Sequence, residues 1–70
     1  MTKTALSKYT EMTGKQMQQI RRGMVDARSA ITFAIGYLQA MQDAEIITDD
    51  EKARLNSSFA KEALSYSYVS

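Results

Sequence analysis

Residues 17–41 read MQQIRRGMVDARSAITFAIGYLQAM, and their spacing decides the fold class. In alternating steps of three and four from Met17, the chain meets Ile20, Met24, Ala27, Ile31, Ala34, Leu38 and Met41. No step falls on a charge, so the series is an apolar seam of helical period. Beside it Ala30, Phe33, Tyr37, Ala40 and Ala44 form a second row, and Ile35 widens the first. At about 100° per residue the apolar arc spans roughly 200°, about twice the stripe of a surface helix. Such a helix has to be covered from more than one side.

Working outward, Thr13 followed by Gln16 has capping-box spacing, which places the start of one long helix there. The spacing predicts that it runs over about 14–44, about 45 Å at 1.5 Å per residue. Gly23 and Gly36 fall inside it; beside Ala27, Ala30 and Ala34 they suit a close helix crossing, the alternative being weak kink points. Upstream, a short helix over about 4–11, capped by Thr4, turns Leu6 and Tyr9 inward and is ended by Thr13–Gly14. Downstream, Thr48-Asp49-Asp50-Glu51 is a capping box with three carboxylates at the positive end of a helix dipole. A second helix over about 49–66 follows, presenting Leu55, Phe59, Ala63 and Tyr66. Ile46 and Ile47 are expected to fold under the corner at 45–48. The expected architecture is an all-α helical hairpin, a single domain over residues 1–70. Its second arm, about 25 Å long, covers only part of the first. That leaves Met17, Ile20 and Met24 without intrachain cover, so the hairpin is expected to be oligomeric, as a homo-oligomer or a hetero-complex.

Composition narrows the function. The chain has no Cys and no His, which removes thiolate metal sites, disulfides and the commonest general base. There is no Gly-rich phosphate loop and no nucleophile elbow, so no enzyme activity and no cofactor are expected. The acids at 49–51 are consecutive, lack the loop glycine of a calcium site, and are read as capping. The longest uncharged run, Ser29–Gln42, would span about 21 Å, short of the roughly 30 Å of a bilayer core. No membrane contact is expected, and a cytoplasmic location is. Charge is uneven: residues 1–28 carry six Lys/Arg against two acids, and residues 29–70 three against six. Such a basic end and acidic end can steer partners or orient two chains antiparallel.

The expected partner interface is the uncovered part of the seam with its rim: Met17, Ile20, Arg21, Met24, Ala27, Arg28 and Ile31. Methionines beside isoleucines make an adaptable protein-binding surface, and the arginines can add charge-assisted contacts. The alternative, that Leu6 and Tyr9 fold back over the strip within one chain, stays open. Tyr66 and Tyr68, in the run at 65–69, are read either as partner contacts or as core and fraying tail. A second function is legible in LSKYTEMTGKQMQQIRRG at 6–23, which looks like a helix-turn-helix with its turn at Met12. Glu11 stands where that pattern wants Gly. The resemblance implies that Lys15, Gln16, Gln18, Gln19, Arg21 and Arg22 reach bases and phosphates of DNA.

In layout the chain resembles the small helical regulators encoded by phages and plasmids, of antirepressor or inhibitor type, including helical-hairpin dimers. The likeness rests on the seam from Met17 to Met41, the corner at 46–51, and the lack of catalytic equipment. It implies a non-enzymatic protein that binds and inhibits or modulates a protein partner, such as a transcriptional repressor. It carries over no individual residue.

Overall fold

The computed structural model describes residues 2–67, and among them it contains three helices and no strand. These are α1 (Lys3–Arg21), α2 (Ala27–Asp43) and α3 (Asp49–Ser67). The expected long helix over 14–44 is therefore corrected: it is two helices, divided at residues 22–26.

The division follows from one glycine. Gly23 takes φ +71°, where a Cβ is unfavourable. Its N–H donates to the Ile20 carbonyl at 3.0 Å, and Met24 N–H reaches back to Gln19 at 2.9 Å, the two bonds of a Schellman ending. The chain thus satisfies its terminal carbonyls while reversing direction. Tertiary burial supplies the drive, because a straight helix would leave its first half bare, whereas folding back buries Tyr9 and Met17. The same device ends α2, with Glu45 at φ 60° and backbone bonds from Glu45 to Gln42 and from Ile46 to Met41, both 2.9 Å.

At the other end, the expected break at Thr13–Gly14 is absent. Thr13 does not cap; its hydroxyl donates to the Tyr9 and Thr10 carbonyls at 3.0 and 3.1 Å, as mid-helix threonines do. The short helix expected over 4–11 therefore continues to Arg21. Its cap is Thr2, which accepts from Ala5 N–H at 3.1 Å. The capping box at the start of α3 forms as expected. Glu51 N–H donates to the Thr48 hydroxyl at 3.2 Å, and Thr48 N–H to the Glu51 carboxylate at 3.0 Å.

The three helices run alternately up, down and up. Tyr9 on α1 donates to the Leu55 carbonyl on α3 at 3.4 Å, Arg21 meets Tyr66, and Lys52 bonds Gln39 across to α2. The closest association is α2 with α3, where Ala27, Ala30 and Ala34 face Phe59 and Ala63 in one buried cluster together with Met17. A second cluster joins Tyr9, Leu38, Met41 and Ile47. Met12 packs against both, so α1 closes the space over the pair. Ile47 is buried under the corner as expected, but Ile46 is 40% exposed.

The expected glycine contribution to a close crossing is not realised at Gly36, where an added Cβ would meet nothing within 4 Å. Gly14 is equally open. Replacing Gly14 or Gly36 by Ala should therefore raise stability by up to about 1 kcal/mol each through helix propensity alone. Gly23→Ala, at positive φ, should lower it by about 1 kcal/mol. Urea melts of the three variants check the difference in sign.

Glu51 gives a pH dependence. The Thr48 backbone N–H holds its carboxyl below the ordinary carboxylate value. A lowered carboxylate contributes stability that is present above its unfolded value and lost as pH falls through the lowered one. Thr48→Ala should cost about 1 kcal/mol. Glu51→Gln has no carboxyl to titrate, so acidification below about pH 4 should destabilise that variant less than wild type, as circular dichroism melts at pH 7 and pH 3 would record.

Candidate protein-binding groove

The residues expected to form a continuous outer strip are separated by the fold. Met17 and Ala27 are buried, and Ile20 and Ile31 are half-buried against their cluster. Of the apolar residues in the set only Met24, 69% exposed in the turn after α1, is open to solvent. Arg28 is exposed on α2. Arg21 lies over the Tyr66 ring, 4.6 Å from its centroid, and donates to the Tyr66 hydroxyl, a contact that raises the guanidinium pKa. The fold-back of Tyr9 is thus the outcome for most of the strip, although Leu6 remains exposed. Tyr66 is half-buried; Tyr68 lies outside the described residues.

The helix-turn-helix geometry is also corrected, because residues 3–21 form one uninterrupted helix with no turn at Met12. Glu11 keeps helical backbone, where the motif needs a tight reversal. Lys15, Gln18, Arg21 and Arg22 are exposed, and Gln16 and Gln19 half-buried. They share the C-terminal part of α1 and its cap without a second helix set across them by a tight turn.

Of the large apolar side chains exposed among the described residues, Phe33 and Ile46 line a groove between α1 and α2, whereas Leu6, Met24, Ile35 and Leu64 do not. Phe33, the most exposed aromatic side chain among the described residues at 54%, stands beside Met12, Lys15, Gln16 and Gln19. One turn along α2, Tyr37 lies opposite Ala5 and Lys8, and the groove widens there into an open depression of about 740 Å³ that ends at Glu45 and Ile46. Tyr37 is braced from below by Tyr9, with ring centroids 6.1 Å apart and planes tilted by 44°. Burial pushes the Tyr9 phenol above its ordinary pKa. The groove is therefore an aromatic floor on a rigid base, walled by Lys8, Glu11, Lys15 and Glu45. Glu11 and Lys15 pair at 3.5 Å on the surface.

These groove residues belong to the second apolar row, Phe33–Tyr37–Ala44, whose signal was the width of the arc. Two neighbours cover the centre of that arc and one flank, and Phe33 is left over. Among the described residues no group of three or more His, Cys, Asp or Glu is arranged to hold a metal ion. No helix among them is long and apolar enough to cross a membrane. Comparison with family models, with curated proteins and with solved structures gives no match to this chain.

Proposed function

We propose that this chain is a non-enzymatic regulatory protein that binds a protein partner through the α1–α2 groove and inhibits or modulates it by occupancy. The observation that supports the reading is Phe33, more than half exposed beside Tyr37 at the mouth of a groove whose far end is closed by Ile46. Aromatic side chains in a concave apolar setting with a charged rim are the usual anchors of protein recognition. An amphipathic helix laid along the groove is the matching ligand shape. The layout likeness to phage and plasmid regulators points to a cytoplasmic DNA-binding regulator, such as a transcriptional repressor, as the partner.

The test is capture from a nuclease-treated extract of the source organism, with wild type and Phe33→Glu as parallel baits. A protein retained by wild type is then purified and titrated calorimetrically against both. The variant should bind about 100-fold more weakly while its circular dichroism is unchanged. Equal affinities would remove the groove from consideration.

A further inference from the structure

We propose that the turn at residues 22–26 is a hinge, and that two copies of this chain form a dimer by exchanging α1. In the exchanged form the turn straightens and residues 3–43 run as one helix. Two such helices lie antiparallel about a two-fold axis. Each α1 docks on the α2–α3 pair of the other copy, through the contacts that it makes within one chain in the hairpin. Keeping Phe33 beside Met12 and Lys15, and Tyr37 opposite Lys8, puts the axis at about residues 22–24.

The phase of the buried faces on the two sides of the turn carries the inference. Straightening gives a closed dimer only where the face buried by α1 and the face buried by α2 fall on one side of the continuous helix. A hairpin imposes no such condition, because its turn can set the two helices at any relative rotation. Carried through the turn at about 100° per residue, Tyr9, Ala27, Ala30, Leu38 and Met41 all lie within about 40° of Ala34. Met17 lies about 100° from Ala34, on the side where it lines a cleft with Leu55 and Phe59 of α3. The condition is met.

Met24 is the one seam position that the hairpin leaves exposed, at 69%. In the continuous helix it falls between Leu38 and Met17, inside the buried arc and close to the axis. Straightening therefore turns Met24 from solvent toward the interior of the dimer, while the half-buried Val25 turns outward. The hinge, Arg22-Gly23-Met24-Val25-Asp26, holds no proline, and Gly23 is the only residue in it with positive φ. The α2–α3 pair has its own cluster around Ala34, Phe59 and Ala63, so α1 is the element that can leave as a unit. Exchange of an identical element replaces its buried contacts with copies of themselves, which leaves the hinge to set the balance. The α1–α2 groove is kept, with Phe33 from one copy and Lys15 from the other, so the inference does not depend on what the groove binds.

Refolded at about 1 mM, wild type should show a fraction at twice the 7.9 kDa chain mass in sedimentation velocity. Gly23→Ala disfavours the turn and favours the helix at both hinges of the dimer, and should raise the dimerisation constant at least about 100-fold. When isotope-labelled and unlabelled Gly23→Ala chains are refolded together, filtered nuclear Overhauser spectra should show the Tyr9–Tyr37 ring contact between copies. Two glycines inserted after Met24 set the buried faces about 160° out of phase and should hold the chain at its own mass. A wild type wholly at the chain mass overturns the proposal. So does a Gly23→Ala chain that stays monomeric or fails to fold, because the exchanged form needs no left-handed residue at 23. A dimer that keeps the Tyr9–Tyr37 contact within each copy, or that survives the insertion, overturns it as well. Phe33→Glu leaves the hinge untouched, so partner capture still judges the groove reading separately.

Discussion

Replacing Leu38 by alanine should leave the chain largely unfolded at 37 °C. Among the described residues Leu38 is the only large side chain that is fully buried, and it belongs to the cluster formed with Tyr9, Met41 and Ile47. Four of the ten buried residues among those described are alanines, so few other side chains can move in to fill the space it leaves. Leu→Ala in such a setting costs about 3 kcal/mol, from lost transfer energy and the residual cavity. A single core in a chain this short supplies only about 3–5 kcal/mol, so the loss is comparable with the whole. Circular dichroism and urea titration at 25 °C should show the midpoint displaced to near zero denaturant. The control is Leu64→Ala, at a position 37% exposed, which should cost under about 1 kcal/mol. A Leu38→Ala melt close to wild type would mean that the core is organised differently.

The second large effect is expected at Tyr9, and its form differs. Tyr9 is 5% exposed and links α1 to both other helices, through its ring to Tyr37 and its hydroxyl to the Leu55 carbonyl. Truncation to alanine should cost about 3–4 kcal/mol, in the range of large aromatic deletions. The α2–α3 association has its own buried cluster around Ala34, Phe59 and Ala63. Loss should therefore concentrate in α1, which undocks before α2 and α3 separate. Hydrogen exchange by mass spectrometry should show protection lost across 5–21 and partly kept across 30–43 and 52–64. Tyr9→Phe keeps the ring and drops only a long 3.4 Å hydrogen bond, so it should cost about 1 kcal/mol or less. Uniform loss of protection in Tyr9→Ala would instead mark the three helices as one cooperative unit.

The seam Met17–Met41 by itself determined that the chain is helical and most of which residues face inward, although Met24 is exposed and Ile20 and Ile31 are only half-buried. Met17, Ala27, Ala34, Leu38 and Met41 are all buried. The corner at 45–48 and the start of the last helix were equally legible, because a capping box is a local arrangement of four residues whose hydrogen bonds need no distant partner. Periodicity could not tell whether the helix axis continues. Consecutive helices that bury their faces against one another can keep the same three-and-four spacing, so the pattern passes over Gly23 unchanged. The run Arg21-Arg22-Gly23 did hold the signal of an ending, basic residues in the last turn and glycine just beyond it. At Thr13–Gly14 the corresponding residues stay helical. Which glycine reverses the chain is settled by what the reversal buries: turning at 23 lays Tyr9 and Met17 on the α2–α3 pair. That comparison of buried surface exists only between segments far apart in sequence. It alone covered Met17 and Ile20 and left Phe33 and Ile46 exposed along the α1–α2 groove.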